Sequence, residues 1–257
     1  HTLKAGVVGP GSNYAITYRF RFPGVYAVRV VFRGDFRNVR GASDPVAVTL
    51  QQAQKPGFTI NSSDPIINDG QTVKISGVLD QPGTTTAEPS TPVTLFARAI
   101  GGTFMPIAGT TTGADGSYSF TQMPQNNTIY QVRTTFAPHR DTASLYQGVR
   151  DVLTLVPSGT AAKVGQTITL NGTVLPDKAG DVVYLQRLGQ DGDWHNVELG
   201  IVRSNSSFTF SWTFGNPGTA VFRARIPGDP LNVGGASPRV TIAVTAPPTP
   251  VGLPPAS

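Results

Sequence analysis

The stretch "GQTITLNGTV", residues 165–174, decides the fold class of this chain. Apolar and polar residues alternate along it, which is the pattern of a strand that buries one face against a core. The stretch "GQTVKISGVL", residues 70–79, repeats both the opening Gly-Gln-Thr and the alternation. One half-buried strand is therefore encoded twice, and each copy is predicted to follow a turn.

A longer internal repeat relates the two ends of the chain. Residues 6–48 slide onto residues 200–242 without a gap, and fifteen of the 43 positions are identical. Chance would give about three identities, so the repeat is genuine. The offset of 194 residues corresponds to two units of about 97, and a middle copy follows: "YQVRTTF", residues 130–136, has the spacing of "YAVRVVF", residues 26–32. The chain is thus predicted to be a tandem array of one fold.

The composition favours an all-β fold. The 257 residues include 29 Gly and 22 Pro, and no window shows a sustained helical apolar period. Aromatic residues alternate with other residues in the last copy, at Phe208, Phe210, Trp212 and Phe214. About seven short strands per unit, with turns every 8–12 residues or so, predict tandem immunoglobulin-like or fibronectin III-like β-sandwiches. A parallel sheet is excluded because the sequence offers no crossover helix.

The repeat divides the chain into four parts. Residues 1–50 match only the C-terminal half of a unit, residues 57–152 and 153–246 are complete Ig-like units, and residues 247–257 form a Pro-rich tail. The first part lacks the Gly-Gln-Thr strand, and half a sandwich leaves an apolar face bare. We expect either upstream residues or another protein chain to complete this half-domain.

The connections between the units differ in length. Residues 51–57, "QQAQKPG", make a short polar linker before the first complete unit. Residues 148–158 must end one complete unit and begin the next with no residues to spare. So short a joint restricts swivelling, and a stiff rod is expected there. The prolines after Val244 favour an extended spacer.

Three runs of sequence carry a resemblance to known domains: "VGQTITLNGTVLPDKAGDVVYLQRLGQDGDW", "FTFSW" and "FRARIPGDPLNVGGASPRVTIAV". Together they resemble the Ig-like repeats of secreted and surface-anchored bacterial proteins, especially actinobacterial ones. The resemblance implies the sandwich fold and an extracellular or cell-surface location. It implies no single function, because such repeats serve as spacers, adhesion modules and appendages of enzymes. Its landmarks are Gly165, Gln166, Thr167, Gly172, Leu185, Gln186, Arg187, Arg223, Ala236 and Ser237.

The positive charge is concentrated in the first part of the chain. Residues 1–52 hold seven basic and two acidic residues, which gives +5, the formal net charge of the whole chain. A basic face of this kind is predicted to contact a polyanion, a cell-wall glycan or an acidic partner, although a merely solvated face is the simpler alternative. The candidate contact residues are Arg19, Arg21, Arg33, Arg37 and Arg40. Equivalent arginines in all three copies, Arg29, Arg133 and Arg223, favour a structural task such as pairing with a carboxylate across the sheet.

The sequence offers no reactive cluster. It has no Cys and three His in non-equivalent places, so a zinc site is not expected. It also lacks a nucleophile elbow and a phosphate-binding loop. No catalytic, cofactor-binding or metal residue is therefore predicted, no cofactor is expected, and the chain is not expected to be an enzyme. Calcium at a domain joint stays open, with Asp64, Asp69 and Asp151 as the nearest acids. No apolar run reaches the length of a membrane span.

Trp194 is the one candidate for stacking on a sugar, with packing over the edge of the sandwich as the alternative. Three functions remain from different classes. The first is a structural spacer or stalk of a bacterial extracellular or cell-surface protein or filament, and we favour it because the copies are tandem and closely joined. The second is an adhesion module for a glycan or an anionic polymer. The third is an accessory region of a secreted hydrolase.

Overall fold

The computed structural model describes residues 3–9, 13–20, 24–34, 41–51, 55 and 57–246. Every regular element in these ranges is a β-strand, so the predicted all-β class is confirmed. None of the residues described belongs to a helix long and apolar enough to cross a membrane. The Pro-rich tail, residues 247–257, lies outside the described residues.

Short strand pairs make up the N-terminal part. Strand β1 pairs antiparallel with β4, and β2 pairs with β3. Tyr14, Ile16, Tyr18 and Phe20 alternate with other residues in the pattern that predicts a half-buried strand, but residues 13–20 are not in a sheet. The bounds are β1 (Gly24–Val28), β2 (Val31–Phe32), β3 (Gly41–Ala42) and β4 (Val46–Leu50).

The middle sandwich consists of eight strands in two sheets. One sheet has the order β10-β7-β5 and the other the order β6-β12-β11-β8-β9. Its bounds are β5 (Asn61–Ser62), β6 (Ile66–Asn68), β7 (Val73–Val78), β8 (Pro92–Ala99), β9 (Met105–Thr111), β10 (Ser117–Gln122), β11 (Thr128–Thr134) and β12 (Leu145–Arg150).

The C-terminal sandwich repeats this plan. The short strands β13 and β14 and the long strand β19 all pair with β16, and the facing sheet has the order β15-β21-β20-β17-β18. Its bounds are β13 (Val152–Leu153), β14 (Val156–Pro157), β15 (Ala161–Lys163), β16 (Thr167–Leu175), β17 (Val182–Leu188), β18 (Trp194–Ile201), β19 (Ser207–Thr213), β20 (Gly218–Arg225) and β21 (Val240–Thr245).

Both sandwiches begin with a strand that changes sheet. The middle sandwich pairs β5 antiparallel with β7 in one sheet and then β6 parallel with β12 in the other. The C-terminal sandwich pairs β14 with β16 and then β15 parallel with β21. Because one entering segment contributes to both sheets, it closes the edge of the apolar core between them.

The recurring Gly-Gln forms the turn into the central strand of each sandwich. Gly70 and Gly165 have φ angles of 81° and 85°, a conformation that favours glycine. The side-chain oxygen of Gln71 accepts a hydrogen bond from the backbone N–H three residues earlier at 2.8 Å, and that of Gln166 does the same at 3.0 Å. The two turns therefore have the same construction, as the repeat requires.

A glycine in each central strand faces an aromatic ring on the neighbouring strand. Gly77 lies opposite Tyr118 and Gly172 lies opposite Phe208. A Cβ atom at Gly172 would overlap the Phe208 ring and the carbonyl oxygen of Thr154. Phe208 thus packs directly against Gly172, the Tyr118 hydroxyl lies beside Gly77, and both aromatic side chains are buried in the cores.

Each sandwich has its own apolar core. Aromatic and aliphatic residues from both sheets fill the C-terminal core, where Phe210 and Phe214 are buried as predicted. Trp212 is half-buried at the edge of this core and meets the Phe222 ring at 5.6 Å in an edge-to-face contact. The middle core is built from the equivalent strands.

Candidate functional site at the joint between the two complete sandwiches

The end of the middle sandwich is hydrogen-bonded to a loop of the C-terminal sandwich. This docking loop, residues 227–235, lies between β20 and β21. The N–H of Val233 donates to the carbonyl of Val149 at 2.8 Å, and the N–H of Asp151 donates to the carbonyl of Val233 at 2.9 Å. The chain that leaves β12 therefore continues its ladder onto the next sandwich, as a parallel bridge between Arg150 and Val233.

Two buried asparagines add side-chain hydrogen bonds across the same boundary. Asn127 Nδ2, in the middle sandwich, donates to the carbonyl of Pro230 at 3.3 Å, and the backbone N–H of Asn127 donates to the carbonyl of Leu231 at 2.6 Å. In the opposite direction, Asn232 Nδ2 donates to the carbonyl of Gln125 at 2.9 Å. Asn127 Oδ1 also accepts from the N–H of Val149 at 2.9 Å, which holds the two segments of the middle sandwich together. In each sandwich the side-chain amide of one asparagine thus donates a hydrogen bond to a backbone carbonyl of the other sandwich.

Asp229 gives the docking loop its shape. Its Oδ1 atom accepts hydrogen bonds from the N–H groups of Leu231 and Asn232, both at 2.7 Å. An Asp that binds backbone groups two and three residues ahead is a usual way to fix a tight turn. Gly235 closes the loop against the other sandwich, because a Cβ atom there would overlap the carbonyl oxygen of Asp151.

A buried charge cluster lies at the centre of the joint. Lys178 comes from the turn between β16 and β17, and its Nζ atom is 2.5 Å from Asp229 Oδ2 and 3.7 Å from Asp151 Oδ1. The side chains of Lys178 and Asp151 are 4% and 0% exposed. Among the described protein atoms, neither carboxylate oxygen of Asp151 has a hydrogen-bond donor. Lys178 therefore binds Asp229 directly and compensates Asp151 only by its charge.

The two carboxylates respond in opposite ways to this environment. Burial raises the pKa of Asp151 to about 7; the Lys178 charge opposes this shift, while the charges of Asp229 and Asp181 add to it. Burial acts to raise the pKa of Asp229 as well. Hydrogen bonds from Lys178 and from the loop backbone outweigh it and hold the pKa of Asp229 below its usual value. Asp229 is therefore the charged partner of Lys178, and Asp151 titrates near neutrality.

The sequence left a calcium ion possible at this joint, and the structure has the ammonium group of Lys178 beside Asp151. Lys178 Nζ lies between the carboxylates of Asp151 and Asp229. Asp64 Oδ1 accepts from the N–H of Ile66 at 3.0 Å, in the turn before β6. Within the described ranges no three His, Cys, Asp or Glu side chains come together in a way that could hold a metal ion.

The sequence did not single out the residues that make this joint. Asp151 was predicted only as a possible calcium ligand, and no role was predicted for Lys178. A usable signal was present, because residues 228–237, "GDPLNVGGAS", contain both Asp229 and Asn232 and share seven of ten residues with "GDFRNVRGAS", residues 34–43.

The predicted arginine contacts are only partly within the described residues. Arg19 and Arg33 are exposed, whereas Arg21, Arg37 and Arg40 lie outside the residues that the structure describes. Their contact with a polyanion or an acidic partner stays a prediction.

Trp194 is half-buried on β18 between two guanidinium groups. The Arg223 Cζ atom lies 4.2 Å from the ring centroid and the Arg239 Cζ atom 5.4 Å from it. Arg223 Nε also donates to Gln186 Oε1 at 2.7 Å, which fixes the guanidinium over the ring. Stacking of a sugar on Trp194 stays a prediction, and a sugar would have to replace one of these cation–π contacts.

Arg133 and Arg223 each stack on an aromatic ring. Arg223 covers Trp194, and Arg133 lies over the Phe96 ring at 4.7 Å from its centroid. Neither is among the ion pairs of the described residues, so the expected carboxylate partner is not found there. The strand registers place Gln131, and not Arg133, at the position of Arg223, because Gln131 lies opposite Phe96 and Arg223 opposite Gln186, each just after the irregularity of its strand. The predicted equivalence of Arg133 and Arg223 was therefore wrong.

The structure is similar at low level to several solved proteins. A tetra-tandem repeat from the extending region of a large adhesion protein is 19% identical to this chain, with a TM-score of 0.33. The match covers 92% of this chain and 62% of the chain of that protein. The Yersinia pseudotuberculosis adhesin InvE has 15% identity, 72% and 58% coverage and a TM-score of 0.34. Red sea bream transglutaminase has 13% identity, 74% and 32% coverage and a TM-score of 0.37.

No protein-family model matches the chain, and no curated protein matches it. This chain spans about three fifths of the length of the tetra-tandem repeat to which it is similar. Likeness at these TM-scores gives no function to this chain, so the functional argument rests on the joint.

Proposed function

We propose that the chain is a non-catalytic structural spacer in which the joint holds the two complete sandwiches at a fixed angle. The observation that supports this role is the set of hydrogen bonds that crosses the boundary in both directions between Asn127, Val149 and Asp151 on one side and the docking loop on the other. A spacer has to keep the parts it separates at a fixed distance and orientation. Hydrogen-bonded backbone groups resist bending and twisting at this boundary.

The buried charges support the same role. Lys178 and Asp151 point toward each other inside the joint and are shielded from solvent, so they are placed for cohesion and not for contact with a substrate. Within the cluster, the contact between Lys178 and Asp151 crosses the boundary, whereas the ion pair between Lys178 and Asp229 joins two loops of the C-terminal sandwich. Motion that separates the sandwiches would therefore take Asp151 away from the Lys178 charge.

The proposal includes a location. A spacer of tandem Ig-like units that needs no disulfide suits an extracellular or cell-surface protein of a bacterium, the setting that the sequence resemblance implies. The actinobacterial affinity of that resemblance stays a prediction.

The stiffness can be tested by distance measurements between two spin labels. The chain has no cysteine, so the exposed residues Ser119 on β10 and Ser211 on β19 can be changed to Cys and labelled uniquely. We expect pulsed electron resonance to give one narrow distance distribution. The double variant Lys178→Met with Asn232→Ala should broaden it, because the charge beside Asp151 and the amide bridge to Gln125 are both lost.

The matched control is Lys163→Met, which removes an exposed lysine of the same sandwich. It should leave the distribution narrow. A broad distribution in the parent chain, or one that the double variant leaves unchanged, would contradict the spacer proposal. Near-ultraviolet circular dichroism of each variant shows that both sandwiches stay folded.

A further inference from the structure

One strand sequence is buried twice in this chain and exposed once. Under the repeat offset, Tyr14 and Ile16 in the N-terminal part correspond to Phe208 and Phe210 of β19. Phe208 and Phe210 are 2% and 1% exposed, whereas Tyr14 and Ile16 are 52% and 41% exposed. The same apolar alternation therefore has opposite environments in the two places.

A single neighbouring strand accounts for the difference. In the C-terminal sandwich β19 is hydrogen-bonded to β16, and in the middle sandwich β10 is hydrogen-bonded to β7. Residues 13–20 have no such neighbour within the described ranges, where they form no ladder. The missing partner is thus a strand of the β7 and β16 type.

The two internal examples define what that partner must look like. In each, a glycine lies opposite the first aromatic residue and an aliphatic residue lies opposite the residue two positions later. The glycine is needed because a Cβ atom at Gly172 would overlap the Phe208 ring, and one at Gly77 would overlap the Tyr118 hydroxyl and the carbonyl oxygen of Thr59. The pairs are Gly77 with Tyr118, Ile75 with Phe120, Gly172 with Phe208, and Leu170 with Phe210.

We propose that residues 13–20 form an acceptor edge for an antiparallel strand with the pattern aliphatic-x-Gly, supplied by the N-terminal half of a repeat of this same type. The glycine of the incoming strand lies opposite Tyr14 and its aliphatic residue opposite Ile16. The added strand gives 13–20 a hydrogen-bonded ladder and buries its aromatic face, as in β-strand addition. This inference does not depend on the stiffness of the joint.

The pattern distinguishes this occupant from a second copy of the chain. Two copies that paired through their own 13–20 segments would place side chains opposite Tyr14 where the internal examples have a glycine. A repeat-type strand offers the flat backbone on which the ring lies. Self-pairing is therefore an outcome of the test and not the proposal.

The test uses a synthetic peptide of residues 163–176, which contains the Gly-Gln turn and β16, added to the full chain. Hydrogen exchange of residues 13–20 is measured by mass spectrometry. We expect saturable protection of about tenfold or more at one peptide per chain. A Gly172→Val peptide should give no protection, and neither should the parent peptide added to an Ile16→Lys chain.

A covalent version removes the dependence on peptide affinity. In this hybrid, residues 153–199 are placed directly before Gly6, which corresponds to Gly200, so that an uninterrupted unit is recreated. The hybrid should protect 13–20 without added peptide. The proposal is overturned if neither peptide nor hybrid protects 13–20, or if the Gly172→Val peptide protects equally. It is also overturned if protection rises with chain concentration alone, because a second copy then covers the edge.

Discussion

Gly172 shows how a single residue fixes the packing of an aromatic ring on its own sheet. The Phe208 ring lies against Gly172, and the carbonyl of Thr154 approaches from the segment between β13 and β14. A methyl group at this position therefore has to displace both a packed ring and a backbone atom. Overpacking of this kind costs about 1–3 kcal/mol.

We therefore predict that Gly172→Ala lowers the free energy of unfolding of the C-terminal sandwich by about 1–3 kcal/mol in urea denaturation. The control is Gly215→Ala, since no atom lies within 4 Å of the position where its Cβ would be. The control should unfold like the parent. Equal stability of the two variants would show that the ring is not held against the glycine.

Asp151 gives the joint a dependence on pH. Its folded-state pKa is raised to about 7 from an ordinary value of 3.8, chiefly by burial, with Lys178, Asp229 and Asp181 as the charged groups around it. The folded protein consequently binds a proton that the unfolded chain releases. The stability due to this proton is fully present below pH 3.8 and is lost as the pH rises to about 7.

The variant Asp151→Asn should abolish this loss. We expect its melting temperature, relative to that of the parent, to rise between pH 4 and pH 7 and to level off above that. The matched control for Asp151→Asn is Asp193→Asn, which changes an exposed carboxylate of the C-terminal sandwich. A difference between Asp151→Asn and the parent that does not change with pH would show that Asp151 is charged throughout.

At the level of elements, an ion pair joins the same two loops in both complete sandwiches. The basic residue lies in the later loop of the middle sandwich but in the earlier loop of the C-terminal sandwich. In the middle sandwich Arg140, in the loop after β11, donates to Glu88 Oε2 at 2.7 Å, and Glu88 lies in the loop before β8. In the C-terminal sandwich the lysine is in the earlier loop and Asp229 in the later one. Arg140 also donates to the carbonyls of Asp80 and Gly57 at 2.7 and 3.1 Å.

These contacts tether the loop of residues 79–91, between β7 and β8, to the loop after β11 and to the start of the sandwich. We predict that Arg140→Met accelerates hydrogen exchange of residues 81–88, because the loop loses a charged pair and a backbone tether to the start of the sandwich. Arg98→Met, which removes a guanidinium that lies over Phe104 at 5.0 Å, is the matched control. Unchanged exchange in the Arg140 variant would mean that the turn within the loop is sufficient to order it.

How far the sequence predicts these elements depends on the range of the interactions. The alternation in residues 70–79 and 165–174 is local, and it predicts β7 and β16 because a strand with one buried face must alternate. The Gly-Gln turn is predictable for the same reason. The contact of Arg223 with Trp194 was missed because it joins strands that are far apart in sequence, and the repeat alone does not say which ring a guanidinium will cover.

At the scale of the whole molecule, the joint depends on contacts that no local pattern encodes. The sequence predicts a stiff connection from the absence of spare residues in 148–158, but it does not say that Lys178 and Asn232 meet Asp151 and Gln125. Those pairs form only after both sandwiches have folded and their loops face each other. The repeat nevertheless marks the docking loop, since "GDPLNVGGAS" is kept between distant copies where adjacent positions differ.

The joint also makes the order of the units non-interchangeable. With Arg133 aligned to Arg225, as the strand pairing requires, the position of Asn127 is taken by Thr219 in the C-terminal sandwich, and with Val149 aligned to Val244, that of Asp151 is taken by Ala246. A duplicate of the C-terminal sandwich placed behind itself would find neither the amide that donates to its docking loop nor the carboxylate that lies beside its Lys178.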